Sequence, residues 1–84
     1  MKPIRLTRHA REQCVARGAT EEEVRQAIEQ GKCEPAKHGR LLCRFNFPYG
    51  RTWQGDVYAI KQVAPVIADQ RDEIVVVTVY TFFF

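Results

Sequence analysis

The sequence predicts an α+β domain, an N-terminal αα-hairpin packed on a three- or four-stranded, mostly antiparallel sheet. Three observations carry this expectation. Between Thr7 and Gly31, two frames that open on threonine and close on glycine enclose apolar residues at helical spacing. From Lys32 onward the period drops towards two, and β-branched and aromatic residues accumulate. The later runs are joined by short connections, which suit hairpins better than crossovers. With 84 residues, 45% of them hydrophobic, the chain is expected to form one domain over residues 1–84 with a single thin core.

Taken in order, Met1 to Leu6 is a lead-in whose Pro3 disfavours helix and whose Ile4 and Leu6 alternate as in an extended segment. Thr7 is a good N-cap and Gly18 a good left-handed terminator, so about three turns of helix lie between them. The second helix opens on a capping box, Thr20 with Glu23, and its three glutamates, Glu21 to Glu23, suit the positive end of the helix dipole. Val24, Ala27 and Ile28 give it an apolar stripe, and Gly31 ends it. Arg40 to Phe47 reads as a half-buried strand, with Leu41, Cys43, Phe45 and Phe47 inward, Arg40, Arg44 and Asn46 outward, and Leu42 breaking the alternation. Pro48-Tyr49-Gly50 is expected to turn, and Arg51 to Asp56 to continue as a loop around Trp53. Val57 to Ala68 is extended but interrupted at Pro65. A turn at Asp69 to Asp72 leads into Ile74 to Phe84, apolar on both faces, with Val75, Val77 and Val79 on one and Ile74, Val76, Tyr80 and Phe82 on the other. The closing Phe82-Phe83-Phe84 is either core closure or an exposed patch that wants a partner.

The formal charge of +3 is unevenly divided. Residues 1–51 hold 11 Lys/Arg against 6 acids, and residues 52–84 hold 2 against 4. The first part can face phosphate, and the bland alternative is a solvated surface of mixed sign. No apolar run approaches the roughly 20 residues that span a bilayer, and MKPIRLTRHAR lacks the apolar centre of a signal peptide. A cytoplasmic protein without membrane association is the expectation. Three cysteines, Cys14, Cys33 and Cys43, contain no C-x-x-C and leave an odd thiol, so reduced, partly buried thiols are expected. Cys33, His38 and Cys43 are each five apart, looser than the ligand pairs of zinc sites, and no metal or other cofactor is expected.

The candidate chemistry lies on the first helix. At about 100° per residue, Gln13 stands about 40° and Arg17 about 80° from His9, so the three form a polar strip beside the Ala10/Cys14 face. Histidine exchanges protons near neutral pH, and arginine holds phosphate by paired, charge-assisted hydrogen bonds. His9 and Arg17 are thus the candidate catalytic pair for cleavage of RNA by its own 2′-hydroxyl, a reaction that needs no metal. Arg40 and Arg44 would extend a phosphate track, Tyr80 would join if the sheet brings it near, and Trp53 or Tyr49 would stack a base. The bland alternative has His9 bonded to a backbone carbonyl near the helix start and Arg17 paired with an acid of the second helix.

The segment Thr7 to Gly18, with His-Ala early and Arg-Gly at its end, is followed by T-x-x-E-V-x-x-A-I from Thr20 and the closing Gly31. It resembles the opening signature of a small bacterial family of unknown function, and I-V-V-V-T-V-Y at Ile74 to Tyr80 is similar to that family's terminal strand. Where the family's pattern commonly has a basic residue, this chain has Gln13. In architecture the family resembles, distantly, the RelE-like and BrnT-like toxins, small endoribonucleases of bacterial toxin–antitoxin systems. The resemblance implies an RNA-directed, toxin-like domain, a metal-independent endoribonuclease with an antitoxin-like protein partner. The alternative, from a different class, is a non-catalytic interaction module that forms a homodimer or binds a partner through its C-terminal strand.

Overall fold

The computed structural model describes residues 1–84 and is an α+β domain of two helices and five strands. In chain order these are β1 (Ile4–Leu6), α1 (Arg8–Arg17), α2 (Glu21–Gln30), β2 (Lys32–Pro35), β3 (Leu41–Trp53), β4 (Asp56–Asp69) and β5 (Ile74–Phe83), with a single 3-10 turn at Lys37–Gly39. The strands lie in the order β1-β5-β4-β3-β2. All pairings are antiparallel except β1 with β5, which is parallel. The expected three or four strands are therefore five. The extended lead-in at Ile4–Leu6 becomes the edge strand β1, and the strand not read is β2, four residues long, without a clear period and stabilised by pairing with β3.

Both helix frames form as the caps dictate. Thr7 accepts a hydrogen bond from the Ala10 amide, and Gly18 adopts the left-handed conformation at φ 73°. The Thr20/Glu23 capping box is complete in both directions. Gly31 ends α2 for another reason: its φ is −78°, but a Cβ there would stand 2.3 Å from the Ala27 carbonyl oxygen and 2.4 Å from that of Arg44. Only a residue without a side chain lets β2 leave α2 so close to β3.

The helices cover one face of the sheet, α1 over β5 and β1, α2 over β4 and β3. Between them lies the core, in which Ala10, Cys14, Val24 and Ile28 meet Cys43, Val63, Ile67, Val76 and Val79. One charged side chain is buried there. Lys61, 4% exposed, donates to the Gly18 carbonyl at 2.9 Å and to Glu23 Oε1 at 2.8 Å. It neutralises the acid that caps α2 and satisfies a free carbonyl at the end of α1, so it ties the interhelical turn to β4.

Four expectations are corrected by the register. The turn expected at Pro48-Tyr49-Gly50 is a bulge inside β3, and the strand continues to Trp53. The chain reverses instead at Gln54–Gly55, whose φ values of 50° and 93° match the twist of a two-residue hairpin. In β5 the register shifts opposite Val66/Ile67, so that one extra residue breaks strict alternation; Ile74, Val76 and Val79 then share the core face, and Tyr80 and Phe82 turn away from it. Finally, Cys33 and Cys43 are not free thiols. Pairing of β2 with β3 sets them directly opposite each other, and they form a disulfide, leaving Cys14 as the one free cysteine. The argument from reduced thiols to a cytoplasmic setting then holds for Cys14 alone. No helix is long and apolar enough to cross a membrane.

Candidate functional site

Beyond its three-residue pairing with β1, the outer edge of β5 has no strand beside it, and α1 takes that place. Side chains of α1 reach the edge in turn. The Thr7 amide and hydroxyl donate to the carbonyls of Val76 and Val77. His9 Nε2 lies 3.2 Å from Thr78 Oγ1, and Arg17 Nη1 donates to the Val79 carbonyl at 2.9 Å while its Cζ stands 4.9 Å from the centre of the Tyr80 ring. Thr81 returns a bond of 2.8 Å to the Arg17 carbonyl. A strand edge needs partners for its polar groups, and the polar strip of α1 supplies them. Between His9 and Arg17, Gln13 buries its Oε1 with no hydrogen-bond donor in reach, an uncompensated acceptor within the strip.

The second face of the sheet carries no helix. Its rows are identified by register and by contact: Arg44 Nη1 donates to Gln62 Oε1 at 3.0 Å, Gln62 Nε2 to Asn46 Oδ1 at 2.9 Å, and Arg44 Cζ lies 5.7 Å from the Phe82 ring centre. Leu42 pairs with Val66 and Val66 with Thr78, which extends the same face to Tyr80. The alternation read for Leu41 to Phe47 agrees, including Leu42 as the apolar residue on the outward side. Arg44 also meets Glu34 at 3.2 Å, so part of its charge is answered within the protein. Tyr80 and Phe82 are each 42% exposed.

Across this face from the α1 rim, the 3-10 turn overhangs a depression of about 290 Å³. Lys37, His38 and Arg40 line one side, Thr78 and Tyr80 the other, and Leu42 and Val66 the floor. His9, Arg17 and Tyr80 therefore come together along β5, and Arg40 shares the depression with Tyr80. Arg44 sits one step along the face, beside Phe82 rather than Tyr80. The expected roles of Trp53 and Tyr49 in base stacking are not met on this face. Trp53 stacks on Phe83 at 4.9 Å with 15° between planes, and Tyr49 meets the edge of the same ring at 5.2 Å. The bland partners named for His9 and Arg17 are replaced as well, by a threonine hydroxyl and a β5 carbonyl.

Lys37 was missed by sequence reasoning and His38 was weighed only as a metal ligand, because a turn residue shows no periodicity; the signal available was three basic residues, Lys37, His38 and Arg40, within four positions without an acid. His38 holds a left-handed conformation, φ 62° and ψ 32°, a region in which histidine is enriched among non-glycine residues. Cys14, facing the core, has its thiol pushed up by burial and by the charges of Glu21 and Glu23, which makes it inert as a nucleophile. No group of three or more histidine, cysteine or acidic side chains is gathered as a metal site would require. No family model matches the chain, and neither a curated protein nor a solved structure matches it.

Proposed function

We infer that the chain is an RNA-directed, toxin-like domain that takes a single strand across the helix-free face, with endoribonuclease chemistry at the β5 rim. The observation that carries this reading is a row of basic side chains laid against alternate residues of one strand, His9 at Thr78, Arg17 at Tyr80 and Arg44 at Phe82. Exposed rings beside cations let bases stack and phosphates pair, which is how single strands are held without dependence on sequence. In this reading the ribose 2′-oxygen attacks phosphorus and the bond to the 5′-oxygen breaks, leaving a 2′,3′-cyclic phosphate and a 5′-hydroxyl. His9 exchanges the proton of the attacking or leaving oxygen, and the guanidinium N–H groups of Arg17 not bonded to Val79 meet the charge that gathers on the phosphate. Arg40 and Arg44 follow the backbone, and Tyr80 takes a base.

The resemblance of the opening helix and final strand to a family of unknown function, itself distantly similar in architecture to RelE-like and BrnT-like toxins, supports the same class, and with it an antitoxin-like partner and a cytoplasmic setting. The test is incubation of the pure protein with several RNAs beside His9→Ala. Cleavage that leaves cyclic phosphate ends and is lost in the variant is the expected result; no cleavage by either protein would sink the enzymatic reading. One observation favours the second reading, of an interaction module or homodimer: Phe82 and Phe84, 42% and 56% exposed, stand together at the end of β5. Sedimentation of the parent beside a Phe82→Ser/Phe84→Ser variant decides it, since a monomer at high concentration in both argues against a dimer through this strand.

A further inference from the structure

Four concavities mark the surface, and three are explained by what already fills or forms them. The hollow at Pro3 and Gln70–Glu73 is a turn of mixed charge lined by no large hydrophobic side chain. The groove beside Arg44 is lined by side chains bonded to one another, Arg44, Gln62 and Asn46. The cleft between Arg17 and Trp53 belongs to the packing of α1 on the aromatic hairpin. The depression under the 3-10 turn is different, because it sets two side chains that make no ion pair, Lys37 and Arg40, beside the apolar pair Leu42 and Val66; the clefts beside Arg17 and beside Lys32 each hold one such side chain. No acidic side chain lines it.

We propose that this depression is a binding site for one nucleotide, the base lying on Leu42 and Val66 and the phosphate held by Lys37 and Arg40. The proposal rests on the reading of the face as an RNA surface and gives it a defined subsite. Leu42 and Val66 are cross-strand partners, so their side chains form one flat apolar floor of the kind the face of a base covers. Lys37 and Arg40 stand at the two ends of the turn above that floor, and paired N–H groups of arginine fit a phosphate. Thr78 and Tyr80 line the far side. A volume of about 290 Å³ lies just below the roughly 300 to 1,000 Å³ of ligand sites, a size on the scale of one nucleotide. The same chemistry is offered by a free nucleoside monophosphate and by one residue of an RNA strand.

The experiment is a titration of the ¹⁵N-labelled full chain, followed by amide shifts, with uridine, uridine monophosphate, inorganic phosphate and an RNA tetramer in separate arms. Saturable shifts with the monophosphate at residues 37–42, Val66, Thr78 and Tyr80 are expected, with weaker binding of uridine and of phosphate. Arg40→Ala and the exposed Lys37→Ala should each weaken the monophosphate by about fivefold or more, and Arg51→Ala, on the distant hairpin, should not. Phosphate as tight as the monophosphate, shifts centred elsewhere, or indifference to both variants would overturn the site. If the tetramer binds the β5 rim while the monophosphate leaves the depression unmoved, this inference fails and the RNA reading stands. If the monophosphate binds and the tetramer does not, the site stands for free nucleotides and the RNA reading fails.

Discussion

Arg17 is the residue on which structure and proposed chemistry compete, because its Nη1 holds the Val79 carbonyl while its guanidinium lies over Tyr80. Lysine in its place keeps the charge but loses the planar fork and the stacking, so Arg17→Lys should lower stability by about 1–2 kcal/mol, read from the shift in a urea midpoint. A variant as stable as its parent would show that the bond to Val79 contributes nothing. Cys14 gives a pH prediction. Its folded-state pKa is raised, chiefly by burial, so the stability linked to its neutral thiol is complete below the ordinary thiol range. It is lost as pH rises from there through the folded-state value. An unfolding series from pH 7 to 10 should fall more steeply in the parent than in Cys14→Ala; equal slopes would remove the linkage. At this scale the sequence made His9 and Arg17 legible, since a strip of side chains follows from the helical angle alone. Their partners were not, because Thr78 and Val79 are more than 60 residues away and nothing local encodes that meeting.

Elements divide in the same way between local and distant causes. Both helices were readable to their caps, because a cap is a contact between residues three apart. The faces of β5 were readable only up to the shift at Val66/Ile67, since one extra residue moves all that follows to the opposite face. Strict alternation sets Val79 with Val75, yet it lies in the core with Val76. For Cys33 and Cys43 the missing information was β2 itself, which pairs them only once it lies beside β3. Their disulfide closes a loop with a sequence separation of 10, which in the chain-entropy estimate restricts the unfolded chain by about 2.5–3 kcal/mol. Reductant should therefore lower the urea-derived stability by up to that amount. Cys33→Ser, at an exposed position, should match the reduced protein and ignore the reductant. A parent unaffected by reductant would show that β2 is held by its ladder alone. The 3-10 turn with Lys37 and Arg40 follows β2 directly, so the same tether helps to hold the rim of the depression.

For the whole molecule, the α+β class was legible because the change of period at Lys32 separates helices from strands. Which sheet face would stay open was not, because it depends on where two helices cross five strands. The helices cover the face that carries Val63, Val76 and Val79, and the other is left with Tyr80, Phe82 and the cations. This gives the excess of basic residues in 1–51 a direction. Arg17 arrives from α1, Lys37 and Arg40 from the turn, and Arg44 from β3, all towards the helix-free face. If a single-stranded RNA lies across it with those four side chains at phosphates, its binding should weaken with salt at a logarithmic slope of about −0.7 for each contact. Four contacts give a slope of roughly −3. Affinity for a short RNA measured from 50 to 200 mM KCl in the parent and in Arg40→Ala tests the count. The variant's line should be shallower by about 0.7, whereas two parallel lines would mean that Arg40 meets no phosphate, and a flat parent line that RNA is not held on this face by charge.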